Sequence, residues 1–388
     1  MILSRFFNIT LYIGILFAMF SCSGGSRRFP VGDTSAEKDS SMQITFAQGF
    51  TLQKTENVTL LTVLNPWQGA QNKIFRYALV SGENPVSDSL SAYTVIRTPV
   101  EKVVCLSTTH VAMLSAIGKA SSIKAMSGTA FIHDSAVRKR IDCGEIVDVG
   151  YGAALDIETI VALKPDVIFA YGIGQETMSY LSKLADLGLT VVLNAEYLER
   201  TALGKAEWMK FMAAFYHCEE QANALFGRIR QEYDSLKLLP LRTTNRPAVM
   251  CDLPWRGSWY IPGGQTSTAS MILDAGGNYL WKDNPSHESF PVTIEAAINK
   301  GVTADIWINT GAARSLAEIK ATDERLSLAK PWQTGQVFSN FARATENGGN
   351  DFFESGIVRP HVVLKDLIRI FHPDLLPNHS LYYYLQLK

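Results

Sequence analysis

The sequence lacks an excess of charge of either sign. Its 388 residues carry 36 Lys and Arg against 37 Asp and Glu, which gives a formal net charge of −1. A protein that binds nucleic acid through phosphate neutralisation needs surplus basic residues, so that class is excluded. Hydrophobic residues make up 47% of the chain, which excludes an intrinsically disordered protein, and the length predicts two core-sized domains.

Motifs of redox, zinc and nucleotide chemistry are also missing. None of the five cysteines is spaced as CxxC, and the seven histidines are scattered along the chain. There is no Walker loop, GxSxG or HExxH, and Gly172 and Gly174 lack the rest of a dinucleotide fingerprint. We therefore expect no catalytic residue, no metal site and no cofactor, and one disulfide stays open if the protein is exported.

The first residues resemble an export signal. Arg5 precedes an apolar run from Phe6 to Phe20, and fifteen helical residues rise only about 22 Å, short of a bilayer core. Small residues around Cys22 follow, as in a lipoprotein signal. We expect a signal peptide over 1–21, lipidation of Cys22 and a flexible tether over 22–41. The alternative is an ordinary signal peptide with an incidental cysteine.

Residues 42–96 predict a small β-rich extension. Three stretches alternate apolar and polar residues, as half-buried strands do. These predicted strands are Gln43–Phe46, Val58–Leu64 and Ile74–Val80.

From residue 97 the rhythm changes to short apolar runs that alternate with helix-length segments. This pattern is typical of βαβ units and parallel sheets, and it predicts α/β lobes over 97–200 and 241–388. The predicted strands are Lys102–Leu106, Asp166–Ala170, Thr190–Leu193, Ala248–Leu253, Asp305–Asn309 and Val337–Phe338. The predicted helices are Val111–Ile117, Tyr180–Leu187, Ala269–Asp274, Ile294–Asn299 and Val362–Phe371.

Between the lobes, residues 201–240 predict linking helices. An apolar stripe over 219–238 recurs every three or four residues and indicates a helix of about five turns. A helix joining two lobes has this pattern, and so does an ordinary helix in one larger domain.

The two halves echo each other. Glu158 lies early in a predicted helix and Asp166 begins the next strand, while Glu295 and Asp305 hold the same places in the second half. The echo predicts two similar lobes about a hinge, although any two βαβ units share part of this pattern.

Ligands of open parallel sheets bind beyond the carboxyl ends of the strands. Aromatic residues recur at these ends beside glycine or arginine, which suits a large, flat or chelated ligand with peripheral anions. Ordinary core packing remains the alternative for each aromatic residue. The candidate ligand-binding residues are Thr109, His110, Tyr151, Tyr171, Trp255, Arg256, Trp259, Tyr260, Arg314, Asn340 and Phe352.

Over 97–376 the chain resembles the periplasmic substrate-binding proteins of ABC importers for iron-siderophore complexes, haem and cobalamin. The stretches that carry this resemblance are Val149-Gly150-Tyr151-Gly152, the segment from Leu155 to Ile168 with its Lys164-Pro165-Asp166, Ala275-Gly276-Gly277-Asn278, Asp305–Asn309 and Gly335-Gln336-Val337-Phe338. The resemblance implies two Rossmann-like α/β lobes joined by a single long helix, matched here by 219–238.

The same resemblance implies a function without catalysis. A ferric chelate, haem or cobalamin would bind between the lobes and pass to an ABC permease and its ATPase. Glu158 and Glu295 would dock on the permease. The protein would be an exported monomer, anchored to a membrane by lipid in the periplasm. Four arginines favour an anionic iron chelate, namely Arg256, Arg314, Arg343 and Arg359.

Two other functions stay open at this point. One is an exported tetrapyrrole- or metal-processing enzyme on the same two-lobed fold, for which His110 with Asp351 or Glu354 is the available residue combination. The other is a surface scavenger that hands cargo to an outer-membrane receptor.

Overall fold

The computed structural model describes residues 43–55, 57–173 and 175–388, without the side chains of 153 and 175–177. The predicted signal peptide, the tether and Cys22 lie outside these residues. Within the described ranges, no helix combines the length and apolar character needed to cross a membrane.

The β-rich extension is a four-stranded sheet. Its strands are β1 (Phe50–Lys54), β2 (Val58–Leu64), β3 (Ile74–Ser81) and β4 (Thr94–Thr98). They pair in the order β1-β2-β3-β4, with only β3 and β4 parallel. Alternate residues of β2, including Leu61 and Val63, are fully buried, as period-2 patterning predicts. The predicted strand Gln43–Phe46 is wrong, because the backbone amides of this segment bind buried carboxylates instead of a neighbouring strand.

The first lobe is a parallel sheet flanked by helices. Its elements in chain order are β5 (Val103–Cys105), α1 (Thr108–Ala116), β6 (Ile123–Met126), α2 (Ser135–Asp142), β7 (Val147–Asp148), α3 (Ile157–Leu163), β8 (Val167–Ala170), α4 (Gln175–Asp186) and β9 (Val191–Leu193). The strand order is β7-β6-β5-β8-β9. The central strands β5 and β8 are buried along their whole length, which is why each appears as an uninterrupted apolar run.

Two helices connect the lobes, α5 (Ala202–Ala214) and α6 (Glu219–Lys237). The chain breaks between them at His217, which has a left-handed φ of 52°. Helix α5 is buried nearly all round. Helix α6 is the long helix that the stripe over 219–238 predicts, and it packs on α5, where the Lys210 ammonium lies 4.5 Å from the centroid of the Phe226 ring.

The second lobe repeats this pattern on a smaller sheet. Its elements are β10 (Ala248–Cys251), β11 (Trp259–Pro262), α7 (Ser267–Asp274), β12 (Asn278–Tyr279), β13 (Ser289–Val292), α8 (Ile294–Gly301), β14 (Ile306–Ile308), α9 (Leu316–Thr322), α10 (Lys330–Thr334), β15 (Phe338–Ser339), α11 (Ser355–Val358), α12 (Pro360–Phe371) and β16 (Leu385–Gln386). Strands β12, β10 and β14 form a parallel sheet, and β11–β13 and β15–β16 are antiparallel pairs.

The repeated aspartates explain why the two halves look alike. Asp166 accepts the backbone N–H groups of Glu101 and Lys102 at 2.7 and 2.8 Å, just before β5. Asp305 accepts the N–H of Ala248 at 2.8 Å, at the start of β10. Each carboxylate therefore accepts backbone hydrogen bonds at or just before the first residue of a neighbouring strand and stabilises the position of that strand. The predicted fold of two α/β lobes with a β-rich extension is confirmed.

Candidate functional site

Three predicted ligand residues of the first lobe lie together at the carboxyl end of its sheet. Thr109 and His110 begin α1 directly after β5, and Tyr171 follows β8. The His110 ring centroid lies 6.3 Å from that of Tyr171 and 6.4 Å from that of Phe169. The side chain of His110 is fully buried, and burial lowers its pKa to about 3, so the imidazole is neutral at physiological pH.

A buried carboxylate that the sequence analysis missed completes this cluster. Glu196 follows β9, is 4% exposed and receives a hydrogen bond from the side chain of Thr109. Its backbone N–H donates to Asn194 Oδ1 at 3.0 Å, which fixes the turn after the strand. Burial raises the pKa of Glu196, and the charge of Lys205 opposes this shift.

The second lobe presents strained residues at the equivalent edge. Asp252 follows β10 with φ 63° and Asn309 follows β14 with φ 58°, both in the left-handed region that non-glycine residues rarely adopt. The indole N–H of Trp307 holds the Asp252 carbonyl at 2.8 Å, and Tyr384 donates to Asn309 Oδ1 at 2.7 Å. Such strain concentrates at functional sites. Burial raises the pKa of Asp252 to about 7.

Buried polar atoms without a hydrogen-bond partner concentrate at these strand ends. Among the described residues, four of the side chains with such atoms follow β5, β9, β14 and β15, two in each lobe. They are His110, Glu196, Thr310 and Asn340. Because native proteins pair nearly all buried polar groups, this concentration makes the sheet edges the candidate place for a polar ligand.

A cavity of about 130 Å³ lies beside this edge, between the start of α5 and the second lobe. Its wall is mostly apolar and includes Phe352 and Phe353. Lys205 is the charged residue among those that line it. Burial lowers the pKa of Lys205, and Glu196 and Glu199 partly offset this effect.

The predicted aromatic residues divide into exposed and buried ones. Tyr151 is 64% exposed, Trp255 63% and Tyr260 50%. The guanidinium of Arg256 lies 4.4 Å from the centroid of the Trp255 ring. These side chains are free to contact a ligand, and Arg256 supplies a positive charge beside one of them.

Trp259 belongs to the core instead. It is fully buried, its ring centroid lies 5.6 Å from that of Trp307, and its indole N–H donates to the Cys251 carbonyl at 3.2 Å. Strand alternation in β11 explains the difference from Tyr260, since adjacent residues point to opposite faces. Phe352 is half-buried and packs on Phe353, Tyr383 and Tyr384, and Arg314 is exposed.

Arg343 and Arg359 line a separate groove of about 690 Å³ between α1, α6 and α12. Both guanidinium groups lie over the ring of Tyr382, at 4.3 and 4.8 Å from its centroid. Arg343 also donates to Asp351 at 2.6 Å. Their charges are therefore engaged with neighbours in this groove rather than at the strand ends.

The two carboxylates that the enzyme hypothesis pairs with His110 have other partners in the structure. Asp351 lies 3.7 Å from His133, and Glu354 accepts the backbone N–H groups of His133 and Asp134 at 2.7 and 2.8 Å. Both carboxylates thus join the second lobe to the first at the residues just before α2. No group of three metal-ligating side chains occurs in the part of the chain that the structure describes.

A family model described as periplasmic binding protein matches residues 103–340, more than half of the chain. The chain belongs to the periplasmic binding protein family. The resemblance stated from the sequence is thereby confirmed, and the family is one of substrate-binding proteins rather than enzymes.

Three individual proteins are similar to this chain in sequence or in fold. An uncharacterized lipoprotein of Methanocaldococcus jannaschii is 26% identical over 346 residues, which cover 84% of this chain and 81% of that protein. A periplasmic heme-binding protein of Pseudomonas aeruginosa aligns with a TM-score of 0.55 and 15% identity, covering 71% of this chain and 94% of that one. The structure of an ABC-type Fe3+-hydroxamate transport system from Saccharomonospora viridis aligns with a TM-score of 0.54 and 16% identity. This alignment covers 71% of this chain and 94% of that one. Both structures show likeness of fold alone.

The two glutamates predicted to dock on a permease are exposed in this periplasmic binding protein. Glu158 lies in the first turn of α3, which Asp156 caps by accepting the N–H of Thr159 at 3.0 Å. Glu295 lies in the first turn of α8 and pairs with Arg325. Both positions place a carboxylate at a helix start, where the dipole stabilises negative charge. Their docking role stays a prediction.

Glu196 and Asp252 could have been found from the sequence by the strand-end rule. Asp252 is the penultimate residue of the predicted strand Ala248–Leu253, and Glu196 lies two residues after Asn194, which follows the predicted strand Thr190–Leu193. The sequence analysis applied the rule to aromatic residues, which point to a flat ligand, and so passed over the carboxylates. Lys205 gave no such signal, because its place in the cavity depends on how α5 packs between the lobes.

Proposed function

We propose that this periplasmic binding protein captures a ferric siderophore complex between its two lobes and delivers it to an ABC permease and its ATPase. The carrying observation is the set of unpartnered buried polar atoms at the strand ends of both lobes. Leaving a buried polar group without a hydrogen bond destabilises the protein by about 1–3 kcal/mol. A ligand that supplies the missing hydrogen bonds removes this penalty, which makes its binding free energy more favourable.

Charge and rings at the rim support an iron chelate. Trp255, Tyr260 and Tyr151 offer exposed aromatic surface, and Arg256 offers a cation stacked on one ring. Arg343 and Arg359 no longer contribute to this argument, because they occupy the other groove. With fewer arginines in the cleft, the preference for an anionic chelate rests on less charge, so haem and cobalamin are the competing ligands. Export and a lipid anchor at Cys22 complete the proposal, supported by the family and by the lipoprotein relative.

Titration of the purified protein tests the ligand class. We expect a ferric siderophore to quench tryptophan fluorescence with a dissociation constant of about 1 μM or lower, which corresponds to a binding free energy near −8 kcal/mol. Trp255 is exposed and supplies a reporter, whereas Trp208, Trp259 and Trp307 are buried and supply a background. The metal-free siderophore is the matched control for the iron complex. Haem and cobalamin are titrated in parallel, and tighter binding of either would replace the siderophore. If none of the three binds at about 100 μM, the binding free energy is weaker than about −5.5 kcal/mol for each, and the proposal is refuted.

Removing exposed rings tests the rim. We expect Trp255→Ala combined with Tyr260→Ala to weaken binding by roughly tenfold or more, since well-packed aromatic contacts dominate many binding sites. Both side chains are at least half exposed, so the variant should keep its melting temperature. Leu241→Ala removes a 71% exposed apolar side chain elsewhere and is the matched control. Isothermal titration calorimetry gives the affinities, and an unchanged value for the double variant would remove both rings from the site.

A further inference from the structure

The N-terminal extension is fixed rigidly to the first lobe. The phenol oxygen of Tyr77 on β3 accepts a hydrogen bond from the backbone N–H of Leu193, the last residue of β9, at 3.0 Å. Phe50, Leu61 and Val63 are buried in the main hydrophobic core. The extension is therefore part of the body of the protein, and the family match, which starts at residue 103, does not include it.

The loop Asn65–Lys73 between β2 and β3 has a defined shape. The backbone N–H of Asn65 donates to the Lys73 carbonyl at 2.8 Å, and the Lys73 N–H donates to Asn65 Oδ1 at 3.0 Å. Asn65 and Asn72 both have left-handed backbones, with φ of 45° and 55°. Bonds across its base and these two turns hold the loop in place as it leaves the sheet.

This loop reaches the ligand-receiving edge of the first lobe. Gly172, the second residue after β8, lies against it: a Cβ built on Gly172 would be 3.4 Å from Trp67 Cβ and 3.8 Å from the Pro66 carbonyl oxygen. The Gly172 carbonyl also accepts a hydrogen bond from the Tyr197 hydroxyl at 2.5 Å. Trp67 therefore contacts the residue that directly follows Tyr171 in the chain.

The same loop reaches the second lobe. The backbone N–H of Gly69 donates to Glu288 Oε1 at 3.3 Å. A groove of about 500 Å³ lies where the three parts meet, lined by the loop, by residues 195–200 of the first lobe and by residues 286–288 of the second. Glu199, Arg200 and Glu288 bring charged side chains to this groove, which the Trp67 side chain also lines.

Trp67 has the properties of a contact residue. Its ring is half-buried, and it packs edge-on against Phe75 with centroids 6.0 Å apart. Among the residues that the structure describes, its indole N–H has no acceptor. Because Phe75 contacts only one side of the Trp67 ring, the rest of the ring offers a flat apolar surface to a ligand. The indole N–H offers a hydrogen bond as well.

We propose that the Asn65–Lys73 loop is a third wall of the ligand cleft and that Trp67 contacts the bound ligand. The inference rests on the proposed function, because it assigns this contact to the same cleft. It makes the extension a determinant of specificity, so the ligand site includes a residue outside the region that defines the family.

Three variants test the wall. Trp67→Ala should weaken binding at least tenfold, and Trp67→Phe, which keeps apolar packing on Phe75, should weaken it about threefold. A variant in which an Asn-Gly turn replaces residues 65–73 joins β2 to β3 directly and removes the wall. Val86→Ala, at a 43% exposed position elsewhere in the extension, is the control and should bind normally. The probes are the gallium(III) complex of a triscatecholate siderophore, which is anionic, together with gallium protoporphyrin and cyanocobalamin, and all three are diamagnetic.

Fluorine NMR of the 5-fluorotryptophan-labelled full chain separates contact from a structural role. The resonance lost in Trp67→Phe identifies Trp67, and we expect it to shift when the bound probe is added. If the chain binds a probe but this resonance stays fixed, or if Trp67→Ala binds within twofold of the parent, the wall is wrong and the proposed function stands. If the chain binds none of the probes, the proposed function fails and the wall fails with it.

Discussion

Replacing Glu207 with alanine is expected to lower the free energy of unfolding by about 3–5 kcal/mol, the usual cost of breaking a buried ion pair. Glu207 lies in α5 and is fully buried. Its carboxylate accepts the backbone N–H groups of Thr45, Phe46 and Ala47 at 2.6–3.1 Å and pairs with Lys210 at 2.8 Å. The substitution leaves three amides without their acceptor and the buried Lys210 ammonium without its counter-charge, with the Gln43 carbonyl at 2.8 Å as its other acceptor.

A second variant separates these two costs. Glu207→Leu with Lys210→Met removes the charge pair as a unit, so no buried ammonium is left alone. If the unpaired charge dominates, this double variant recovers most of the stability. We expect only partial recovery, because the amides of the 43–47 segment still lack an acceptor and each unpaired group costs about 1–3 kcal/mol.

Urea unfolding of the full chain measures both effects. Glu145→Ala is the control, since it breaks an ion pair with Arg140 at 2.8 Å in which the glutamate side chain is 58% exposed. Pairs of this kind contribute about 0–1 kcal/mol. A Glu207→Ala variant as stable as this control would show that the carboxylate does not hold the N-terminal segment.

The same contacts explain why the sequence misled over residues 43–46. Alternation of polar and apolar residues predicts a strand, yet strand formation needs a partner backbone. Here Glu207 supplies the acceptor from a position about 160 residues away. Just after this segment, Gln48 and Gly49 donate to Glu199 in the same way at 2.9 Å. No local pattern contains that information, because it arises only when α5 packs beneath the segment.

The lobes themselves could be predicted because their signals are local. Buried parallel strands such as Val167–Ala170 appear as short apolar runs, and the aspartates before them hold neighbouring strands in both halves. The break between α5 and α6 left no trace, because His217 adopts a left-handed backbone without glycine or proline nearby. Strand β6 was likewise missed, since Ile123–Met126 contains a lysine and little β-branched sequence.

The candidate site shows the same difference: features with a local sequence signal could be predicted, and features that depend on register or tertiary packing could not. Placing residues after strands identified Thr109, His110 and Tyr171, which the structure brings together. Whether a ring faces the core or the solvent depends on strand register, so Trp259 and Tyr260 could not be told apart until β11 was seen paired with β13. The extension's contact with Gly172 depends on tertiary packing alone.

Replacing Glu158 and Glu295 together with alanine is expected to reduce ligand uptake by roughly tenfold or more while leaving ligand affinity unchanged. Both carboxylates are exposed, one on each half of the chain, and charges of this kind steer association with a basic partner surface. Loss of Glu295 does not leave Arg325 unpaired, because Arg325 also bonds to Asp323 at 2.6 Å.

Uptake of a radiolabelled iron complex by cells that carry only the variant protein measures the effect, and calorimetry on the purified protein measures affinity. Glu220→Ala is the matched control, since Glu220 is also an exposed glutamate in the first turn of a helix, α6. Each single variant should fall between the control and the double variant, because each removes one of two contacts. Normal uptake by the double variant would show that the permease recognises another surface, whereas a loss of affinity would place these glutamates in the ligand site instead.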